Sequence, residues 1–290
     1  MSVENIRISV LLPSLGAPRI LRTAVLSTLF ALGPRDELLV QVSGSETAEV
    51  LGNIRDSRLR VSFSPSPMKV FEALNKLLAV SRGKFIGRMD ADDICLPGRF
   101  QAQLRFLERN KLDFVFSNAI LFGKGVKPFG FIPQPPIKLN NEESGLYLVF
   151  SNPFVHPTML ARRSTLESLS GYSELAAEDY DLWIRAWTSG FRFSKMAGYG
   201  VLYRVHPAQV TQHPQFNRLA LQEVILNGLI VELEKQLSTK KLIEGGLGIQ
   251  EAALTSLRNR SLIQKILLSS GVRGVLDFGK RGISGRGGNA

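Results

Sequence analysis

One cysteine, Cys95, stands in 290 residues, which excludes an internal disulfide and any metal site built from several cysteines. A reducing compartment is the natural setting for such a chain. Long apolar runs are also missing. None approaches a membrane span, and the opening MSVENIRISV has no signal-peptide stretch, so a cytoplasmic location is expected. Histidine is scarce: His156, His206 and His213 are the three, and each precedes a proline, which holds the residue before it extended. Acidic side chains are in deficit, 25 against 36 basic, for a formal charge of +11. Residues 214–290 hold 11 basic and 6 acidic side chains. Such an excess attracts nucleic acid, an acidic membrane face or phosphorylated substrates; the plainer reading is a solvated surface with a basic tail. No aromatic–basic motif or groove-reading helix accompanies the charge, so no nucleic-acid partner is expected.

What is present is a globular composition, 44% apolar and 21% charged. Strands are expected at Arg7–Leu12, Glu37–Val42, Leu59–Phe63 and Lys84–Met89, with helices after the first, around Pro18, and at Met68–Val80. A helix after Pro97 presents Phe100, Leu104 and Leu107 on one face. Asp113–Leu121 and 157–163 read as further strands, 124–141 as a loop, and Tyr180–Ser189 as a helix. Alternation of strands and helices implies an α/β, mainly parallel sheet whose ligands sit beyond the strands' carboxyl ends. The α/β part is placed at 1–213, a helical appendage at 214–278 and a basic, Gly-rich tail at 279–290.

The stretch RMDADDICLPGRF sets Asp90, Asp92 and Asp93 at such a strand end. Extended geometry would project Asp90 and Asp92 to one side, suited to a hard divalent cation that completes its shell with waters and substrate phosphates. The other reading is that Asp92 or Asp93 caps the helix near Pro97. An EF-hand is excluded, because Cys95 stands where glycine is needed and Gln101 where the bidentate glutamate belongs. Glu178-Asp179-Tyr180 opens a helix; capping explains it as well as a carboxylate kept ionised to accept a proton from a hydroxyl. His206 is a candidate metal ligand beside Asp92, and His156 a candidate partner for a substrate hydroxyl. His213 is given no role.

In this order, SVLLPS (9–14), RMDADDICLPGRFQAQ, NPFVHPTMLARRS, AAEDYDLWIRAWTSGFRF and YRVHPAQVT resemble the inverting glycosyltransferase family 2 and its GT-A fold, in a bacterial polysaccharide-type member. The resemblance runs from about residue 6 to 213. It implies an enzyme that moves a sugar from a nucleoside-diphosphate donor to a hydroxyl of a glycan or lipid-linked acceptor. Asp90 would face the ribose or the metal's waters. Asp92 would ligate Mg²⁺ or Mn²⁺ on the diphosphate, with His206 at the metal or diphosphate. Asp179 would be the general base and Glu178 would orient the acceptor, with His156 and Trp183 also on the acceptor side. Pro13, Ser14 and Ser43 would lie against the nucleotide, and Gly171 would let the backbone approach the donor.

The pattern departs from the family at VQVSGS. Val42 and Ser43 replace two aspartates, the first of which reads the nucleobase, and Leu15-Gly16 replaces Tyr-Asn. Either backbone with Ser43 or Ser14 reads the base, or donor binding is weak. The alternative function is a non-catalytic sugar- or partner-binding relative. In residues 215–269, Phe216, Leu219, Leu226, Leu229 and Leu233 lie among lysines and arginines. They suit packing on the catalytic domain or a second copy, or docking on an acidic membrane face.

Overall fold

The computed structural model describes residues 6–15, 18–43, 51–123, 126, 130–150, 152–175 and 177–206. The expected appendage and tail, and His213, lie outside the described residues. The order is β1 (Ile8–Ser14), α1 (Pro18–Ala31), β2 (Asp36–Ser43), β3 (Leu59–Ser64), α2 (Val70–Val80), β4 (Phe85–Arg88), β5 (Ile94–Cys95), α3 (Arg99–Arg109), β6 (Phe114–Phe122), β7 (Phe131–Pro133) and α4 (Asn141–Phe150). A 3₁₀ turn (His156–Thr158), β8 (Leu160–Arg162), α5 (Arg163–Ser168), α6 (Glu178–Thr188) and β9 (Phe193–Arg204) follow.

One sheet runs β3-β2-β1-β4-β8-β6-β9-β5, with β7 on β6. Strands β1 to β4 are mutually parallel, and β9 is parallel to β6; β8 runs antiparallel between β4 and β6. Strands β1, β2 and β4 are buried along their whole length, as expected of strands covered on both faces. Alternation divides their side chains: Val10, Leu12 and Val40 pack with Leu21 and Val25 of α1 and Phe100 of α3, while Leu11 and Leu39 pack with Leu74 of α2 and Trp183 of α6.

Two elements differ from expectation. The 124–141 stretch is not all loop, since β7 pairs with β6 and α4 begins at Asn141. Asn140 and Glu143 form a reciprocal cap there: the Glu143 N–H donates to Asn140 Oδ1 at 2.9 Å and the Asn140 N–H to Glu143 Oε2 at 2.8 Å. Strand β9 was not expected at all. Gly198 and Gly200 interrupt its β pattern, and its register on β6 shifts between Phe116 and Ala119.

At the amino ends of the strands, the nearly buried Glu37 gathers four donors. Ser9 Oγ reaches it at 2.7 Å, the Arg82 N–H at 2.9 Å, the Arg82 guanidinium at 2.8 Å and Arg60 at 3.1 Å. Burial pushes the carboxyl up, but the bonds from Arg82, Ser9 and Arg60 outweigh it and hold it below the ordinary 4.5. The resulting stability is present above that value and is lost as pH falls through the lower folded one. Glu37→Gln should cost about 2 kcal/mol at pH 7, and the gap to wild type in urea denaturation should close below pH 4.5. A gap that stays constant with pH would show that the ionised carboxylate is not the source.

Candidate active site

Strand β4 delivers its last residue, Arg88, buried at the carboxyl edge, and the chain then turns rather than continuing extended. The Asp93 N–H returns toward Asp90 O at 3.5 Å. The expected alternation of Asp90 and Asp92 on one strand face is therefore replaced by a turn. Asp93, 1% exposed, accepts the Arg204 N–H at 2.8 Å and ties the turn to β9. None of the three aspartates caps α3, because Gly98, with φ 74°, precedes its first residue. Asp90 pairs with the Arg88 guanidinium at 2.6 Å. Asp92 Oδ2 lies 3.2 Å from His206 Nε2, and the Arg204 Nε donates to Asp92 O at 2.8 Å. Burial, then Asp90, raises the Asp92 carboxyl above its ordinary value, while His206 draws it down.

The second group forms at the start of α6. Asp179 Oδ1 accepts the Tyr180 N–H at 2.7 Å, and its Oδ2 accepts the Asn152 amide at 2.8 Å. Burial pushes Asp179 up to about 6 against those bonds and Arg88, which pull it down. Burial and the Asp179 charge push Glu178 up to about 8. His156 stands with Nδ1 3.8 Å from Glu178 Oε1 and Nε2 3.1 Å from the Tyr172 hydroxyl. Burial and the charge of Arg88 hold its imidazole well below the ordinary 6.5, so it is neutral at pH 7. Asn75 of α2 fixes Tyr172 through two bonds, at 2.8 and 2.9 Å.

The structure thus brings Asp90, Asp92 and His206 together at one place, and Glu178, Asp179 and His156 at another. Arg88 acts on both, because its charge also lowers Glu178, Asp179 and Asp93. Sequence reasoning missed Arg88, Asn75, Asn152 and Tyr172. Only Arg88 left a signal, a cation inside the otherwise apolar FIGRM. Pro13, Ser14 and Ser43 lie at the carboxyl ends of β1 and β2, where Ser43 Oγ donates to Ser14 O at 3.3 Å. Ser14 Oγ is buried with no hydrogen-bond partner, and Val42 is fully buried.

Two placements alter the expected roles. Trp183 is fully buried, edge-on to Phe114, Phe116 and His156, so it has no surface to offer an acceptor and instead floors the site. Gly171 is buried at φ 68°; a Cβ there would meet Asn75 Oδ1 at 2.4 Å, and its carbonyl accepts Arg185 at 2.9 Å. Local packing thus accounts for the glycine. Among the described residues no group of three or more His, Cys, Asp or Glu forms a ready metal site. One carboxylate and one imidazole 3.2 Å apart still suit a cation that takes its remaining ligands from water and phosphate.

Comparison with known proteins gives a consistent result. An uncharacterized glycosyltransferase of Methanocaldococcus jannaschii is 32% identical over 137 residues, 45% of each chain. The O-antigen biosynthesis glycosyltransferase WbnJ of Escherichia coli is 25% identical over 178 residues, 59% of this chain and 68% of WbnJ. The chain therefore spans less than half the length of the archaeal relative. The crystal structure of S. aureus TarS 1–349 in complex with UDP-GlcNAc superposes with a TM-score of 0.58 at 18% identity, over 92% of this chain and 76% of that one. That likeness shows the fold, the GT-A arrangement of a mainly parallel sheet. The model of glycosyl transferase family 2 matches residues 9–169, more than half of the sequence, and the chain belongs to that family.

Proposed function

We propose that the protein transfers a sugar, with inversion, from a nucleoside-diphosphate donor to a hydroxyl of a glycan or lipid-linked acceptor in surface-polysaccharide assembly. The observation that carries this reading is the pair of carboxylate groups, Asp90–Asp92–His206 and Glu178–Asp179, gathered around one buried arginine. Family membership supports it, as do the O-antigen biosynthesis named for WbnJ and the UDP-GlcNAc bound by TarS.

Asp92, His206 and Asp90 would hold Mn²⁺ or Mg²⁺, which when bound supplies Lewis-acid stabilisation to the departing diphosphate. Ser14 and Ser43, with Pro13, would meet the nucleotide at the ends of β1 and β2. On the acceptor side, Asp179 takes the proton of the attacking hydroxyl. Glu178, still protonated at pH 7, orients that hydroxyl by donating to it, with His156, itself bonded to the Tyr172 hydroxyl, beside it. A single displacement needs one base on one face of the sugar, whereas hydrolysis of a glycosidic bond needs two flanking carboxyl groups. Among the described residues no helix is long and apolar enough to cross a membrane. The basic charge would favour a cytoplasmic enzyme meeting lipid-linked acceptors at an acidic membrane face. A second reading, a non-catalytic sugar- or partner-binding relative, is favoured by Val42, whose buried side chain leaves no carboxylate for the nucleobase.

Calorimetric titration of UDP, GDP, CDP, ADP and dTDP, each with and without Mn²⁺, separates the two. Binding of at least one should require Mn²⁺ and weaken about tenfold or more in Asp92→Ala and in His206→Ala; no binding by any would favour the second reading. With the donor so identified, Asp179→Asn should lower transfer about 10²- to 10⁴-fold without changing donor affinity. The wild-type rate should fall below pH about 6, as Asp179 gains its proton, and again above about 8, as Glu178 loses one. A rate still rising below pH 5 would rule out Asp179 as the base.

A further inference from the structure

Lys195 of β9 is 3% exposed. Its ammonium donates to Pro153 O at 3.2 Å, and among the described residues no carboxylate pairs with it. Burial alone lowers it to about 8. Strand alternation sets it on the face of Phe193, within the aromatic cluster of Phe116, Phe154 and Trp183. A charge held there by one carbonyl is costly, and a methionine would fill the same space without that cost. The fold has therefore placed a donor where stability alone would not.

Its partner explains the choice. Pro153 lies between Asn152 and Phe154. Asn152 Nδ2 donates to Asp179 Oδ2 at 2.8 Å, and Asn152 Oδ1 accepts the Phe154 N–H at 3.1 Å. Phe154 stacks on Phe116 with ring centroids 4.0 Å apart. Those contacts fix the segment's side chains, while Lys195 ties its backbone to the sheet. We propose that Lys195 is a positioning residue for Asp179, acting through Pro153 and Asn152, an inference that rests on the reading of Asp179 as the base. The other charged or titratable groups near Asp179 are Glu178 on α6, Arg88 at the end of β4 and Tyr172, with His156 beside Glu178. Among the described residues no hydrogen bond or ion pair joins any of them to Lys195.

The test follows the Asp179 carboxyl carbon by NMR against pH in the full chain, assigned with Asp179→Asn. Wild type, Asn152→Ala, Lys195→Met and the double variant are compared. Loss of the Asn152 bond should raise the midpoint above the wild-type value of about 6. Lys195→Met should raise it in the same direction, by about half a pH unit or more, and the double variant should add nothing to the larger single effect. Lys195→Met should also melt no lower than wild type, since it removes a buried charge. An unmoved midpoint in Lys195→Met, full additivity, or a variant that no longer folds would each overturn the proposal, the last by assigning the ammonium to stability. The base reading fails separately, if Asp179→Asn retains transfer while the Lys195→Met midpoint still moves.

Discussion

Arg88 ends a strand buried along its whole length, and a guanidinium in that position is stable only where hydrogen-bond acceptors come to it. Asp90 does so at 2.6 Å, and the Met89 carbonyl takes a further bond. The dependence is mutual. Asp90, Asp92, Asp93, Glu178 and Asp179 could not all be gathered at one sheet edge without a cation among them, and Arg88 lowers three of these carboxyls by its charge. Burial, helped by the same charge, lowers the His156 imidazole too and keeps it neutral. Behind it, the buried Arg99 donates to Arg88 O at 3.1 Å and to Met159 O at 3.3 Å, fixing the strand ends from which both groups are built.

Topology explains how segments far apart in sequence meet at that charge. Strand β8, antiparallel between β4 and β6, sets Met159 O on the Arg88 N–H at 3.2 Å and so brings the 3₁₀ turn of His156 to the end of β4. Strand β9 then runs parallel to β6 and reaches the Asp90–Asp93 turn from the other side. Arg204 fixes that turn through Asp92 O and Asp93 Oδ1, and the chain next sets His206 on Asp92. Helix α6 faces both groups only because its buried side, led by Trp183, packs on Phe114 and Phe116 of β6.

The parallel half of this arrangement was legible in the sequence because each element there carries a local pattern. Buried strands read as apolar runs, as in ISVLLPS, and α3 shows Phe100, Leu104 and Leu107 at helical spacing. The acidic segments and His206 were legible as a chemical set in order. Unread were the features whose cause is tertiary. Strand β9 carries glycines and a register shift that hide its pattern, and Asn75 and Asn152 act through partners 97 and 27 residues away. The resemblance implies an acceptor contact for Trp183; only the packing of its helix shows that the ring is buried beneath the site, edge-on to His156, rather than open to it. The turn after Arg88 was missed for a similar reason, since nothing local in MDADD opposes continued extension, whereas the Arg204–Asp93 bond requires a turn.

The ends of β1 and β2, where the nucleotide of the proposed donor would lie, raise a different question, because Val42 and Ser43 depart from the family pattern there while the acidic segment at Asp90 to Asp93 does not. A carboxylate at the end of β2 would accept from a base N–H and reject a base lacking one, leaving a buried charge unpaired. Val42 removes that penalty along with the attraction. What remains at the strand ends is Ser14 Oγ, buried and unpartnered, with Ser43 beside it. A hydroxyl both donates and accepts, so it discriminates less sharply between bases than a fixed anion does. In the proposed reaction, donor affinity would then depend more on the cation and diphosphate held at Asp92 and His206. Selectivity for the base would pass to the shape of the pocket. In that reaction the carboxylates that carry the chemistry and the residues that choose the nucleotide would be separable: Arg88 binds the first group into one electrostatic unit, and the ends of β1 and β2 lie outside it.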